Sequence, residues 1–179
     1  MILSCYVLRP ILDADAKATA HLIRGAFGAI TPALVPPPSA LQETAESVAA
    51  QIAAGGGLVA EAPSAPTGAA TGAATGATTG ATTGAIIGVI LWGEREGGLY
   101  LGRLSVADPW RRAGVARALV MRGEAFARAC GLPRVHVGVR LVLASNRRLF
   151  TSLGFCEKVL HSHGGFTHPT WVEMEKPLV

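Results

Sequence analysis

The chain has 179 residues, of which 50% are hydrophobic, and its 16 Lys and Arg against 12 Asp and Glu give a net charge of +4. This length and apolar content favour one folded domain over a disordered chain. Cys5, Cys130 and Cys156 are widely spaced and form no C-x-x-C motif, so neither a disulfide framework nor a zinc site is indicated. The first residues lack a basic segment and predict a strand instead of a signal peptide. We therefore expect a cytoplasmic protein with reduced thiols.

The N-terminal part predicts a strand, two helices and a strand pair. Residues 2–9 favour the first strand, and Asp13 or Asp15 is placed to cap a helix that ends near Phe27. Its predicted inner face consists of Leu22, Ile23, Ala26 and Phe27. Ser39 and Gln42 fit a capping box for a second helix, which ends near Ala54 before three glycines. Residues 58–61 and 86–92 predict two short, paired strands.

Residues 67–85 form a tetrapeptide repeat of Thr, Gly and Ala, without any charge between residues 62 and 93. A membrane helix that packs through its glycines is one interpretation. Thr and Gly are nearly neutral in transfer, however, and each Gly costs about 1 kcal/mol in a helix. A flexible insertion in the connection between two strands is favoured instead. We expect residues 1–179 to form a single domain, with this low-complexity insertion at about 63–85 and no membrane association.

The C-terminal part predicts four strands and two helices. A strand at 99–106 leads into a helix at 115–130, and an alternating strand follows at 134–139. In that strand Val135, Val137 and Val139 point inward and His136 points to the other face of the sheet. A short helix at 146–153 precedes two final strands at about 156–162 and 170–176. Strands separated by helices, with strands alone at the end, predict a mixed sheet of the α/β class, or α+β by some definitions.

The junction between strand 99–106 and helix 115–130 is the most informative stretch for function. Residues 106–119 read V-A-D-P-W-R-R-A-G-V-A-R-A-L. Such a turn presents backbone N–H groups at a helix N-terminus, which suits an anion. The stretch is neither a P-loop nor a dinucleotide fingerprint. Residues 103–148 hold ten Arg and only two acidic residues, which favours a polyanionic cofactor. Nucleic acid is the weaker interpretation, because few aromatic residues accompany the arginines.

The order R-x-x-G-x-A after L-x-V-x-x-P resembles the acetyl-coenzyme A (acetyl-CoA) signature of the GNAT family of N-acetyltransferases. Here it is formed by Leu104, Val106, Pro109, Arg111, Gly114 and Ala116. Residues 146–155, N-R-R-L-F-T-S-L-G-F, are similar to the late family helix that ends in L-G-F. Residues 8–10, L-R-P, followed by an Ala-rich helix, resemble the opening of the family. The resemblance implies a mixed, mostly antiparallel central sheet flanked by helices.

The resemblance also implies a cofactor site. Strand 99–106 would separate from the parallel strand 134–139, and the pantetheine arm of acetyl-CoA would lie in the gap against Leu104, Ser105 and Val106. The pyrophosphate would bind the turn and the start of the following helix, and Phe150 would form an apolar wall near the thioester. Asn146 is similar to a cofactor-contacting Asn of the family, and a helix N-cap is its alternative role. The residues implied at the pyrophosphate are Arg111, Arg112, Ala113, Gly114, Val115, Ala116 and Arg117.

The catalytic residues stay open at this point. Phe150 occupies the position where the family often has a Tyr as general acid, so water or Ser152 would have to replace it. An alkylammonium acceptor of pKa about 10.4 costs roughly 4.6 kcal/mol to deprotonate at pH 7, so a base matters more than an acid. Tyr100 stands where relatives often carry a Glu, and His136 and Glu43 are weak candidates for the base. His161, His163 and His168 lack a carboxylate or Cys at ligand spacing, so no metal is expected.

We therefore expect an enzyme that transfers an acetyl group from acetyl-CoA directly to a small-molecule or peptide amine. A catalytically silent CoA-binding module is the alternative, because Phe150 replaces the family's Tyr and no base is evident. A homodimer is possible, and neither nucleic acid nor a membrane is expected as a partner.

Overall fold

The computed structural model of the protein describes residues 6–63 and 84–178. In these residues four helices and seven strands follow one another along the chain. The helices are α1 (Ala16–Gly28), α2 (Ala45–Ala54), α3 (Val115–Ala129) and α4 (Ala144–Ser152). The strands are β1 (Val7–Pro10), β2 (Gly57–Glu61), β3 (Ile86–Arg95), β4 (Gly98–Val106), β5 (Arg134–Arg140), β6 (Cys156–His161) and β7 (Trp171–Pro177).

All seven strands belong to one sheet in the order β1-β2-β3-β4-β5-β7-β6. Neighbouring strands are antiparallel except β4 and β5, which are parallel. Parallel neighbours need a crossover connection, and α3 provides it between β4 and β5. The predicted mixed, mostly antiparallel sheet with flanking helices is thus confirmed.

Two apolar clusters cover the two faces of the sheet. The larger one joins α3 and α4 to β3, β4, β5 and β7, and Leu101, Leu119, Val135 and Phe155 are buried in it. The smaller one joins α1 and α2 to the opposite face of β2 and β3, around Ile23 and Val48. Within the described residues both α1 and α2 therefore lie over the N-terminal half of the sheet. The strand alternation also sends His136, Gly138 and Arg140 to the α1–α2 face.

The start of α2 and the buried face of α1 differ in part from the predictions. Residues Ser39–Gln42 form a short 3-10 turn, so the predicted capping box is wrong. The N-cap of α2 is Thr44, whose hydroxyl accepts the Ser47 N–H at 3.1 Å, while the Ser47 hydroxyl accepts the Thr44 N–H. Ser at the third helical position replaces the usual Glu or Gln, which is why the motif is hard to see in the sequence. On α1 the fully buried face is centred on Thr19, Ala20 and Ile23, and Leu22 and Phe27 are only partly buried.

The N-terminus of α3 packs very closely on β3. A Cβ atom at Gly88 would lie 2.7 Å from Val115 Cγ1, so only glycine permits this approach. Val115 is the first residue of α3 and is 1% exposed. Gly88 thereby fixes where the first turn of α3, and the loop before it, stand relative to β4.

The connection between β2 and β3 contains the Thr-Gly-Ala repeat, most of which lies outside the described residues. The Ala62 N–H donates to the Ala85 carbonyl at 2.9 Å, so the two chain segments are still paired just beyond β2 and β3. The predicted insertion at about 63–85 therefore leaves from one end of a formed strand pair. No helix in residues 6–63 and 84–178 is long and apolar enough to cross a membrane.

Candidate active site

The two parallel strands at the centre of the sheet are paired only at one end. Leu99 pairs with Val135 and Tyr100 with His136, and the pairing stops there although both strands continue. Beyond this point Leu104 and Val106 of β4 face Val137 and Val139 of β5 across a cleft that all four residues line. The resemblance implied such a separation, and the structure has it.

A bulge in β4 lies beside this gap. Val89 pairs with Ser105 and Leu91 with Gly102, so β4 contains one residue more than β3 at this point. Arg103 adopts a left-handed conformation with φ of 54°, which is uncommon for a non-glycine residue. The bulge bends β4 away from β5 and changes the direction in which the backbone N–H and C=O groups of β4 point. The Ala107 N–H donates to Ile87 of β3 at 2.9 Å, so the main-chain groups of its neighbour Val106 point the other way, toward the gap.

The turn after β4 presents a row of backbone donors. Arg112 and Gly114 have positive φ values of 66° and 83°, and Gly114 is the N-cap of α3. Within the described part of the chain, the N–H groups of five residues donate to no protein acceptor: Arg112, Gly114, Val115, Ala116 and Arg117. A Cβ at Gly114 would meet nothing within 4 Å, so the space in front of these donors is open. Convergent N–H groups at a helix N-terminus form a site for a phosphate.

The gap and the turn open into one cleft of about 1340 Å³. The loop between α1 and α2 forms one wall, and α4 with the first turn of α3 forms another. Eleven of the twelve residues predicted to contact the cofactor line this cleft, and Ala113 does not. No Asp or Glu of the described residues lines it, whereas six arginines do: Arg103, Arg111, Arg112, Arg117, Arg140 and Arg148.

Glu43, a candidate base, lies behind Arg103 and does not line the cleft. It is 4% exposed, and its carboxylate accepts hydrogen bonds from Ser47, from Gln51 and from Arg103. Burial raises the pKa of Glu43, but the hydrogen bonds from Ser47, Arg103 and Gln51 outweigh burial and leave this pKa below its usual value. A carboxylate with these partners is a weak proton acceptor, so its contacts favour a structural role.

His136, another candidate base, points to the α1–α2 face, as its strand position predicted. It is 3% exposed, and its Nδ1 lies 2.8 Å from the Glu173 carboxylate. Its ring contacts Tyr100 edge to face at 5.3 Å between centroids, and the buried Nε2 has no hydrogen-bond partner among the described residues. His136 does not line the cleft, whereas Tyr100 does. The Tyr100 side chain thus separates the His136 imidazole from the space where an acceptor would bind.

The remaining candidates lie on or near α4. Phe150 is 3% exposed, packs edge to face on Phe155 at 5.3 Å, and lines the cleft. The Ser152 hydroxyl accepts from Arg117 at 2.8 Å and donates to the Leu149 carbonyl at 2.7 Å. The N-cap of α4 is Leu143, so Asn146 lies inside the first turn, and its alternative role as N-cap is wrong. The Asn146 side chain is exposed and lines the cleft.

The comparisons agree with this geometry. The family model described as "Acetyltransferase (GNAT) family" matches residues 43–155, and the chain belongs to this family. It is an acetyl-CoA-dependent N-acetyltransferase. No curated protein sequence matches the chain.

Solved structures share the fold at low sequence identity. A Staphylococcus aureus N-acetyltransferase superposes with a TM-score of 0.69 at 16% identity, covering 98% of this chain and 100% of the other. The ribosomal-protein-S18-alanine N-acetyltransferase of Escherichia coli gives 0.66 at 15% identity, covering 97% and 94%. A Salmonella typhimurium protein assigned as an acetyltransferase, solved with its cofactor acetyl-CoA, gives 0.67 at 21% identity, covering 98% and 95%.

The cleft fits acetyl-CoA on three counts. The unpaired N–H groups of the turn suit a pyrophosphate, the gap between β4 and β5 exposes a strand edge to an amide-bearing arm, and Phe150 supplies an apolar wall. The sequence analysis missed Arg140 and Trp171, which also line the cleft. Arg140 ends the strand of alternating valines on the same face as His136, and this position was the available signal.

Proposed function

We propose that this enzyme acetylates an amine that enters the β4–β5 gap beneath the α1–α2 loop, and that it does so in the cytoplasm as a single domain. The acetyl thioester of acetyl-CoA supplies the activated acyl group. The observation that carries the proposal is the continuity of the cleft. Its one end holds the unpaired N–H donors of Arg112 and residues 114–117, and its other end is walled by the α1–α2 loop.

The chain's own residues have separate tasks in this proposal. The N–H groups at Arg112 and Gly114–Arg117 bind the pyrophosphate, and the side chains of Arg111, Arg112 and Arg117 add positive charge. The strand edge at Leu104–Val106 pairs with the pantetheine arm. The Val106 N–H, which points into the gap, donates to the acyl oxygen as negative charge develops there. Phe150 keeps water away from the reacting carbon, and Asn146 hydrogen-bonds the arm.

Proton transfer depends on the charge of the cleft. In the reaction the amine nitrogen bonds to the acyl carbon and the carbon–sulfur bond breaks with its electron pair on sulfur. The amine loses its proton to solvent, and the leaving thiolate takes a proton from solvent. Positive charge near an ammonium group lowers its pKa, because it disfavours the cationic form. Arg111, Arg112 and Arg117 face the pyrophosphate and Arg103 is paired with Glu43, whereas Arg140 lines the acceptor end, and no carboxylate of the described residues lines the cleft. The positive charge at the acceptor end therefore favours the neutral, nucleophilic amine without a dedicated base. The leaving thiol has a pKa near 8.5, so expelling the thiolate at pH 7 costs only about 2 kcal/mol.

The test is a screen of small amines and peptides for acetylation, with mass spectrometry of the products and colorimetric detection of released CoA. Gly114→Glu serves as the negative control. Acetylated product from wild type and none from the variant supports the proposal. CoA release without any acetylated amine across the panel would contradict it, and equal activity of the variant would refute the assigned phosphate site.

A further inference from the structure

One arginine of the cleft differs from the others in its surroundings. Arg140 is the last residue of β5 and lines the cleft on the side of the α1–α2 loop. Its Nη2 donates to the Pro36 carbonyl at 2.8 Å and its Nη1 to the Val35 carbonyl at 3.4 Å. The strand end on one side and two loop carbonyls on the other hold this guanidinium in place.

Arg140 has no carboxylate within 4 Å among the described residues. Glu173, on the neighbouring strand β7, contacts His136 and His161 instead, and Glu43 contacts Arg103. Burial lowers the pKa of Arg140, although a guanidinium still stays charged at any physiological pH. Two of its five N–H donors contact the loop, so three are left for a ligand.

The space beside Arg140 is narrow and aromatic. Trp171 pairs with Arg140 across β5 and β7, and its ring stacks on His161 at 4.0 Å. A Cβ at Gly138 would lie 3.3 Å from both the Trp171 ring and the Tyr100 hydroxyl, so glycine at this position keeps the slot open between them. Burial and the charge of Arg140 lower the pKa of His163, which also lines the cleft, and this favours its neutral form. Arg140 is thus a cation of this slot without a carboxylate partner among the described residues, whereas Arg103, which also lines the cleft, is paired with Glu43.

We propose that the acceptor is an amine that also bears a carboxylate, and that Arg140 binds this carboxylate. The inference deepens the function proposed above and rests on it. A guanidinium donates two parallel hydrogen bonds to a carboxylate, and such pairs are stronger in a partly buried cleft than in water. A polyamine or another polycation would meet Arg140 and no lining carboxylate of the described residues at this end of the cleft, so its binding is disfavoured.

The experiment compares matched ligands and matched variants. The acceptors are phenylalanine, phenylalanine amide, a dipeptide that begins with phenylalanine, and spermidine, each assayed for kcat/KM. Binding without turnover is measured by calorimetry, with N-acetylphenylalanine and its amide titrated into protein saturated with CoA. The variants are Arg140→Gln, which keeps donors for the loop carbonyls and removes the charge, and Arg140→Ala. Arg122→Ala, on an exposed part of α3 outside the cleft, is the control.

We expect wild type and Arg122→Ala to bind the acid at least tenfold more tightly than the amide. Arg140→Gln and Arg140→Ala should abolish this preference and leave CoA affinity within twofold of wild type. The kcat/KM of the dipeptide relative to that of phenylalanine shows whether the carboxylate belongs to a peptide or to a free amino acid. Equal binding of acid and amide by wild type, no binding of either, or a preference for spermidine overturns the inference. Reduced CoA affinity in Arg140→Gln would place this residue at the cofactor instead, and loss of acetylation with every amine would contradict the proposed function itself.

Discussion

Glu43 Oε1 lies 2.5 Å from Arg103 Nε, and this ion pair joins the start of α2 to the bulge of β4. Arg103 has φ of 54°, an uncommon backbone conformation that needs support from its surroundings. Its Nη2 also donates to the Ser39 hydroxyl at 3.2 Å. The pair therefore couples the α1–α2 loop, which walls the acceptor end of the cleft, to the strand that lines its cofactor end.

Removal of the Glu43 charge should destabilise the protein in a pH-dependent way. The folded-state pKa of Glu43 is lowered, so its contribution to stability is present above the unfolded value of about 4.5 and is lost as the pH falls through the folded-state pKa. Glu43→Gln should therefore lower Tm at pH 7 and approach wild type as the pH falls through the lowered folded-state pKa of Glu43. Thermal unfolding from pH 3 to 8 measures this, with Glu94→Gln at an exposed position as control. A constant difference at all pH values would show that the charge is not the cause.

Gly114→Glu should abolish CoA binding without unfolding the protein. The Cβ meets open space, but φ of 83° adds a strain of about 1 kcal/mol for any non-glycine residue. Gly114→Ala carries the same strain without the charge and is the matched control. Calorimetry should show a loss of at least a hundredfold for Glu and less than tenfold for Ala. Wild-type CoA affinity in Gly114→Glu would show that the phosphate does not bind at this turn.

Phe150 should tolerate Tyr and not Ala. The side chain is 3% exposed and packs on Phe155, so its truncation should cost about 3 to 5 kcal/mol of folding stability, as for other core aromatics. Phe150→Tyr should keep kcat within about threefold, because solvent already protonates the leaving thiolate in our mechanism. Denaturant unfolding and steady-state kinetics measure both effects. A large gain in kcat for the Tyr variant would show that proton donation limits the wild-type enzyme.

His136→Gln should leave kcat within about threefold of wild type. His136 does not line the cleft, and a Gln side chain can still donate to Glu173. Steady-state kinetics between pH 5 and 10 measure the effect, and thermal unfolding monitors folding. A hundredfold fall in kcat together with the loss of one limb of the pH profile would identify His136 as a proton carrier that acts through Tyr100.

Shortening the β2–β3 connection should preserve the enzyme. Replacing residues 64–83 with Asn-Gly keeps the Ala62–Ala85 hydrogen bond and supplies a residue pair suited to a tight turn. The more than fourfold shorter loop should favour folding by about 1 kcal/mol through its lower closure entropy. Tm should rise slightly, and CoA affinity should stay within twofold of wild type. Insoluble protein or weakened binding would show that the repeat contributes to the fold or the site.

The parts of the fold that the sequence predicted are those with a local signal. The alternating valines of β5 predicted the length of this strand and the position of His136 on the sheet face opposite to the valines. The glycines that follow Ala54 and Ala129 predicted the ends of two helices. The turn at residues 111–116 was found because its donors depend on small residues at fixed spacing. Each of these features is determined by neighbours in the chain.

The parts that were missed depend on contacts between distant residues. The bulge at Arg103 is held by Glu43, which lies 60 positions away, so no local pattern reveals it. Thr44 replaces Ser39 as the cap of α2 because Ser39–Gln42 form a separate 3-10 turn, of which Ser39 and Ala40 line the cleft. The position of Arg140 becomes meaningful only when the α1–α2 loop and β7 are seen beside it.

The short pairing of β4 with β5 also bears on how the protein unfolds. The sheet has its fewest paired residues between β4 and β5, where only Leu99–Val135 and Tyr100–His136 are paired among the described residues. We expect the amides of β5, β6 and β7 to exchange with solvent as one cooperative unit, at a lower opening free energy than those of β2 and β3. Acetyl-CoA that bridges both strand edges would raise this opening free energy and merge the two units. Hydrogen exchange would then report cofactor occupancy from amides far from the cleft.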